Sequence, residues 1–234
     1  MRPAEPAPPT TADRPRPPRP ALFLDRDGTL TEPRHYPANP DELVLQRDIG
    51  PPLHALQRAG FALVVVTNQS GLARGLFDST TLEAMHHRLR SLLHRQGVSL
   101  DGIYTCPHHP QGVIPRYRGP CPCRKPAPGM LYQAAQDLNL NLDLDLARSW
   151  TIGDSACDIN AGHQAGTHTA LAASRPVGDI PPDAQAESTA EVLCQLLQHL
   201  LAHRGPTRPR PEHGCGDCPR ECLRQQRCRT RVVG

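Results

Sequence analysis

The chain has 234 residues, enough for one α/β domain with its own hydrophobic core and additional terminal segments. Its 26 Lys and Arg residues nearly balance its 23 Asp and Glu residues, which argues against nucleic-acid binding by the fold as a whole. No stretch approaches the roughly 18 consecutive apolar residues of a membrane span, and no apolar run precedes Ala21, so we predict a cytoplasmic, monomeric protein without a membrane segment.

Composition divides the chain into three regions. Eight of the 27 prolines lie in the first 20 residues, so we predict a disordered or polyproline-like head over residues 1–19. A folded domain is predicted over residues 20–204, and an Arg/Pro/Cys-rich tail over residues 205–234. The tail cysteines could bind a second metal or an iron–sulfur cluster, or could belong to a basic interaction tail or a poorly structured appendage; they are Cys215, Cys218, Cys222 and Cys228.

Apolar runs of strand length alternate with helical patterns along the folded domain. The predicted strands are 21–24, 61–66, 102–105, 149–153 and 168–171. The predicted helices are 49–60, 78–97, 128–140, 156–166 and 188–203, and residues 174–187 are predicted to be an Ala/Pro-rich link. This alternation predicts an α/β fold with a doubly wound, Rossmann-like parallel sheet. Ligands of such sheets bind beyond the carboxyl ends of the strands.

Two carboxylates follow the first predicted strand. Asp25 and Asp27 stand immediately before Gly28-Thr29, in an extended turn that can bring both carboxylates to one ligand. Two anions held together need a cation, and hard carboxylate oxygens suit Mg²⁺. One carboxylate can attack phosphorus while another protonates the leaving oxygen. The alternative is an ordinary turn with capping carboxylates, but the whole run Leu24–Thr29 favours phosphate chemistry.

Polar and basic residues that could hold a phosphate lie in two further segments. Thr67 and Asn68 follow the second strand, where a hydroxyl and an amide can contact phosphate oxygens. Arg124 and Lys125 offer a planar fork and a point charge, although a solvated basic pair is the simpler interpretation of those two residues alone.

A third acidic segment follows the fourth predicted strand. Asp154 could supply another metal ligand. Asp158 could brace the lysine or a metal-bound water, or could be a helix N-terminal charge favoured by the helix dipole, and both interpretations stay open.

These four segments together resemble the haloacid dehalogenase superfamily of phosphohydrolases; the matching residues are Asp25-Arg-Asp-Gly-Thr29, Thr67, Lys125 and Gly153-Asp154 with Asp158. The resemblance implies a Mg²⁺-dependent phosphomonoester hydrolase in which Asp25 is the nucleophile and Asp27 the general acid/base. It also implies that Thr67 and Lys125 stabilise the phosphoryl group. By the same resemblance, Mg²⁺ is bound by Asp25, Asp154 and the backbone carbonyl of Asp27.

A loop rich in cysteine and histidine contains a candidate zinc site. Cys106 and His108 are separated by 12 residues from Cys121 and Cys123. Three thiolates and one imidazole make a closed tetrahedral Zn²⁺ site of the structural type. Core cysteines or a disulfide are the alternatives, with His109 as a substitute ligand, and reduced cysteines in the cytoplasm favour zinc. Zinc would then fix Arg124 and Lys125 beside the substrate.

The same loop resembles that of the D-glycero-D-manno-heptose 1,7-bisphosphate phosphatases, and the similarity extends over about residues 20–175. It implies removal of the 7-phosphate from that sugar, with Arg124 contributing to substrate recognition. The histidinol-phosphate phosphatases share the zinc loop and are the second candidate; a 3′-phosphatase of DNA ends and a non-catalytic scaffold are further ones. Ser155 stands where the family commonly has a basic residue.

Overall fold

The computed structural model describes residues 19–142 and 144–203. The proline-rich residues before Arg19 and the tail with its four cysteines, Cys215, Cys218, Cys222 and Cys228, lie outside the described residues. Within the described ranges, no helix combines the length and the apolar character needed to cross a membrane.

The described residues form six parallel strands and five α-helices, and strands and helices alternate up to β5, which β6 follows directly. The strands are β1 Arg19–Leu24, β2 Ala62–Asn68, β3 Gly102–Cys106, β4 Leu144–Gly153, β5 His168–Ala172 and β6 Ala184–Ala186. The helices are α1 Gly50–Arg58, α2 Ser79–His94, α3 Gly129–Leu142, α4 Ala156–Ala165 and α5 Thr189–His203. The strand order is β3-β2-β1-β4-β5-β6, and every neighbouring pair is parallel, which confirms the predicted fold class.

One strand lies where the sequence indicated only a link. Within residues 174–187, β6 pairs with β5 at the edge of the sheet. Its three residues carry no apolar run, so periodicity could not reveal it. A side-chain contact next to β6 positions it instead: the carboxylate of Asp183, the residue before β6, accepts from the backbone N–H of Thr169 in β5 at 2.7 Å.

Helices cover both faces of the sheet, as a doubly wound fold requires. Successive residues of a strand point to opposite faces, so Leu22 and Leu24 of β1 pack with α1, α2 and α5, while Ala21 and Phe23 pack with α3 and α4. All four residues are fully buried. Burial on both faces explains why these strands are continuous apolar runs.

The order of the strands determines where a ligand can bind. β1 lies between β2 and β4, so the chain winds in opposite directions on its two sides, and a crevice opens at the carboxyl ends of these strands. The backbone N–H of Asp25 donates to the carbonyl of Ile152 at 3.0 Å, which aligns the ends of β1 and β4. Thr189, at the start of α5, donates its hydroxyl to the carbonyl of Thr29 at 2.9 Å and fixes the turn after β1.

Candidate active site and metal centre

A buried ammonium group organises the carboxyl edge of the sheet. Lys125 Nζ lies 2.7 Å from Asp25 Oδ1, 2.5 Å from Asp158 Oδ1 and 2.7 Å from the carbonyl oxygen of Val66. The contacts with Asp25 and Val66 are hydrogen bonds donated by the ammonium group, and the contact with Asp158 is an ion pair. The structure therefore brings together three of the positions singled out from the sequence: Asp25, Lys125 and Asp158.

Burial and charge act in opposite directions on this ion pair. Burial alone would lower the pKa of Lys125, but the carboxylates of Asp158 and Asp25 outweigh it and raise that pKa. Burial raises the pKa of Asp25 to about 7, although the nearby ammonium of Lys125 opposes that shift. Lys125 is thus charged, and it favours the ionised form of the Asp25 carboxylate that a nucleophile needs.

Asp154 completes a cluster of three carboxylates. Oxygens of Asp25, Asp154 and Asp158 all lie within 4.8 Å of one another. Burial and the charge of Asp158 raise the pKa of Asp154. Three carboxylates face only one ammonium group, so the cluster carries excess negative charge, and a hard divalent cation fits it.

Two glycines make room for these aspartates. A Cβ atom on Gly28 would lie 2.1 Å from Asp154 Oδ2, and one on Gly153 would lie 2.2 Å from Cβ and Cγ of Asp158. Gly28 also has a φ of +89°, a conformation that side chains disfavour. The glycines therefore allow the carboxylates to approach the turn after β1 and the end of β4.

Asp158 performs both tasks between which the sequence could not decide. Its Oδ1 contacts Lys125, and its Oδ2 accepts from the backbone N–H of Ser155 at 3.2 Å and from the Ser155 hydroxyl at 2.5 Å. Ser155 is the N-cap of α4, and the two residues form a capping box. The start of α4 thereby fixes the carboxylate that holds the lysine.

Two residues for which no role was predicted, Arg26 and Gln69, hold the Asp27 carboxylate away from this cluster. Its Oδ2 accepts from Arg26 Nη2 at 2.9 Å and from Gln69 Nε2 at 2.8 Å. Its Oδ1 accepts one bond, from Arg26 Nε at 3.2 Å. Arg26 is fully buried. Its position in the sequence, as a charged residue next to an apolar strand, could have indicated that it binds the neighbouring carboxylate.

The two residues at the end of β2 differ in what they contact. The hydroxyl of Thr67 is buried and accepts from Gln69 Nε2 at 2.9 Å. Asn68, predicted to contact substrate, uses both ends of its amide on the backbone of Lys125: Oδ1 accepts from the N–H at 3.1 Å, and Nδ2 donates to the carbonyl at 3.0 Å. Asn68 therefore positions the lysine, which the sequence did not indicate.

The cysteine and histidine loop folds onto itself beyond β3. The Sγ atoms of Cys106, Cys121 and Cys123 and one ring nitrogen of His108 lie within 4.8 Å of one another, a set that could hold a metal ion. All three cysteines are free thiols. Burial raises the pKa of Cys106, and a bound cation would be needed to favour its thiolate.

His109 and Arg124 take up different places at this loop. His109, the alternative ligand, is not part of the set of four, and its Nδ1 accepts from the backbone N–H of Gln111 at 3.1 Å. Partial burial, followed by the charges of Arg74 and Arg124, lowers the pKa of His109. Arg124 Nη1 donates to the carbonyl of His108 at 3.1 Å, so the loop fixes the residue that directly precedes Lys125.

Comparisons with known proteins agree with this geometry. The model of the family described as Polynucleotide kinase 3 phosphatase matches residues 21–174. A D-glycero-beta-D-manno-heptose-1,7-bisphosphate 7-phosphatase of Salmonella typhi is 40% identical over 183 residues, which cover 77% of this chain and 93% of the relative.

Two solved structures also resemble the chain. A HAD-like phosphatase from Mesorhizobium loti has a TM-score of 0.69 and 38% identity, covering 79% of this chain and 88% of that one. D,D-heptose 1.7-bisphosphate phosphatase from B. bronchiseptica, solved with magnesium and phosphate, has a TM-score of 0.64 and 35% identity. The match covers 76% of the present chain and 99% of the B. bronchiseptica chain. The present chain is therefore a phosphatase of the haloacid dehalogenase superfamily and belongs to the family that includes the heptose-1,7-bisphosphate 7-phosphatases.

Proposed function

We propose that this phosphatase removes the 7-phosphate of D-glycero-β-D-manno-heptose 1,7-bisphosphate in a Mg²⁺-dependent reaction. The observation that carries the proposal is the 40% identity over 93% of a relative with that activity in its name. The buried contact between Asp25 and Lys125 supports it, because the ammonium group favours the ionised form of a carboxylate that lies at the expected ligand crevice.

The residues present fit a magnesium ion. The cluster of Asp25, Asp154 and Asp158 has more negative charge than Lys125 can neutralise. Carboxylates of Asp25 and Asp154 with the backbone carbonyl of Asp27 would hold Mg²⁺. When bound, the ion would orient the phosphoryl group and neutralise its developing charge.

In the first step a carboxylate oxygen of Asp25 forms a bond to phosphorus, and the bond between phosphorus and the oxygen on C7 of the sugar breaks. Asp27 gives a proton to that leaving oxygen. Its Oδ1 is the better proton carrier, because this oxygen accepts one long hydrogen bond whereas Oδ2 is occupied by Arg26 and Gln69.

In the second step water attacks the phosphorus of the aspartyl-phosphate. Asp27 takes the proton from that water, the bond between phosphorus and Asp25 breaks, and inorganic phosphate leaves with the Asp25 carboxylate restored. Thr67 and Lys125 stabilise the phosphoryl group in both steps, because phosphoryl transfer depends on positioning and charge.

The cysteine and histidine loop is proposed to hold a structural zinc ion. Cys106, His108, Cys121 and Cys123 provide the four ligands of a closed tetrahedral site. With the loop fixed, the bond from Arg124 to the carbonyl of His108 holds that guanidinium beside the substrate.

Phosphate release from a panel of substrates tests the proposed function. We expect Mg²⁺-dependent release from heptose 1,7-bisphosphate, lost in Asp25→Asn and retained in the control Asp41→Asn, which changes an exposed aspartate. A preference for histidinol phosphate or 3′-phosphorylated DNA would refute the substrate but not the chemistry. Full activity of Asp25→Asn would refute the nucleophile, and no activity on any substrate would favour a scaffold.

A further inference from the structure

A cavity of about 790 Å³ opens at the amino edge of the sheet, opposite the edge that carries the reacting groups. Its walls come from the start of β1, from β4, from the residue before β6 and from α5; they include Arg19, Pro20, Trp150, Asp183, Leu196 and Leu200. Its volume falls within the roughly 300–1,000 Å³ of ligand sites. None of its residues takes part in the proposed reaction, so this amino-edge cavity needs a separate explanation.

One part of the amino-edge cavity is apolar and aromatic. Trp150 is half-buried, and its indole stacks on the ring of His168 with the two ring centroids 4.8 Å apart. Leu196 and Leu200 of α5 line the same cavity. Surfaces that contain an aromatic side chain of this kind bind proline-rich segments in the polyproline II conformation.

The polar groups of the cavity have unused bonding capacity. Asp183 Oδ2 accepts from the backbone N–H of Thr169 at 2.7 Å and from its hydroxyl at 3.1 Å. Within residues 19–142 and 144–203, no arginine or lysine pairs with the Asp183 carboxylate, whose side chain is 53% exposed. Arg19 Nε is buried without a hydrogen-bond partner in the same ranges. The cavity therefore offers a carboxylate to a cation and an N–H group to a carbonyl oxygen.

The segment that precedes β1 has the matching chemistry. The five residues before Arg19 are Arg14-Pro-Arg-Pro-Pro18. Proline fixes φ near −65°, so such a segment loses less conformational entropy on binding than other sequences do. The carbonyl groups of a polyproline II segment form no internal hydrogen bonds and can accept from a protein N–H. The arginines supply the cation that the Asp183 carboxylate lacks.

The connection to the fold brings this segment to the cavity. Arg19 itself lines the cavity, and Arg16 is three residues away, about 9 Å at the rise of polyproline II. A segment attached so closely has an effective concentration of roughly millimolar at its site. Even a weak interaction between the segment and the cavity is therefore sufficient for binding within one chain.

We propose that residues 14–18 bind in the amino-edge cavity of their own chain, with the Arg16 guanidinium paired with the Asp183 carboxylate and the prolines packed against Trp150. The tail contains a similar stretch, Arg208-Pro-Arg-Pro211. That stretch begins eight residues after Leu200, the last residue of α5 that lines the cavity, whereas the head joins the fold at the cavity itself. The shorter connection favours the head.

Quenching of tryptophan fluorescence by acrylamide tests the proposal on the full-length protein, because Trp150 is the only tryptophan in the sequence. Arg16→Glu should raise the quenching constant at least about twofold, since repulsion from Asp183 replaces attraction and releases the segment. Replacing Pro15, Pro17 and Pro18 with glycine should raise it as well, because the preformed conformation is lost. Arg2→Glu makes the same charge change far from the cavity and should leave quenching unchanged.

Phosphate release should be the same in all of these variants, which reports an intact fold, because the reacting groups lie at the opposite edge of the sheet. Equal quenching in wild type and Arg16→Glu would overturn the proposal. An equal rise in Arg2→Glu would also overturn it, because net charge alone would then explain the effect. If deletion of residues 205–234 exposes Trp150 and Arg16→Glu does not, the tail occupies the cavity instead of the head.

Discussion

Lys125 and Asp25 are 100 positions apart in the sequence, yet the lysine Nζ lies 2.7 Å from the carboxylate Oδ1. The ammonium also donates to the carbonyl of Val66 and forms an ion pair with Asp158. Lys125 is also the only lysine in the sequence. An arginine cannot reproduce three donors that diverge from one nitrogen, which accounts for a lysine here in a chain otherwise rich in arginine.

Lys125→Met should lower kcat by about 10²- to 10³-fold, because the phosphoryl group loses a preorganised positive charge. Lys125→Arg should recover little, since a planar fork does not fit the three acceptors. The measurement is kcat at saturating substrate and magnesium for both variants. Recovery of kcat by arginine would show that charge alone matters at this position.

Gly28→Ala should weaken magnesium binding, because the new Cβ would lie 2.1 Å from Asp154 Oδ2. We expect the half-saturating magnesium concentration to rise at least about tenfold, as a metal ligand is displaced. Gly60→Ala is the control: Gly60 also has a positive φ, but nothing lies within 4 Å of its Cβ. If both variants need the same magnesium concentration, backbone strain is the whole effect.

Asn68→Asp should reduce kcat about tenfold with little change in KM. The substitution replaces the donor Nδ2, which bonds to the carbonyl of Lys125 at 3.0 Å, with an oxygen that repels it. The backbone of Lys125 would shift while the substrate pocket remains. A change confined to KM would instead support the direct contact with substrate that the sequence predicts for Asn68.

Cys121→Ser should lower the zinc content of the purified protein and its activity together, because the site loses a thiolate and Arg124 and Lys125 follow Cys123 directly. The tail after residue 204 is deleted from both proteins, so that its cysteines cannot bind the metal. Cys194→Ser, which changes an exposed cysteine of α5, is the control. Equal zinc in wild type and Cys121→Ser would remove this site from the account.

The parallel sheet and the positions after β1, β2 and β4 could be predicted from the sequence. Continuous apolar runs identify buried parallel strands, and parallel strands bring their carboxyl ends to one edge. This is why Asp25, Thr67 and Asp154 could be placed at one crevice. β6 was missed, because its pairing with β5 depends on tertiary contacts and not on its own composition.

What each side chain contacts could not be predicted in the same way. Asn68 holds the backbone of Lys125, and Arg26 holds Asp27. Both contacts depend on side-chain directions at the edge of the sheet, which strand periodicity does not determine. The two contacts of Asp158 could not be predicted for the same reason: one carboxylate oxygen contacts Lys125, and the other accepts from the backbone N–H of Ser155 at the start of α4.

The acid stability of the protein should depend on His86 in α2. Burial, followed by the charges of Arg26 and Arg90, lowers the pKa of His86 to about 4. In the unfolded chain a histidine has a pKa of about 6.5. As pH falls from about 6.5 to about 4, the unfolded state therefore binds a proton that the folded state does not, and the free energy of unfolding decreases.

His86→Gln removes this proton uptake, because glutamine is neutral at every pH. The free energy of unfolding of the variant relative to wild type should therefore rise by roughly 1–2 kcal/mol between pH 7 and pH 5, measured by urea unfolding at constant metal concentration. His87→Gln changes the exposed neighbour and serves as the control. Parallel pH profiles for wild type and His86→Gln would show that the folded protein admits a charged His86, despite the two arginines that lie near it.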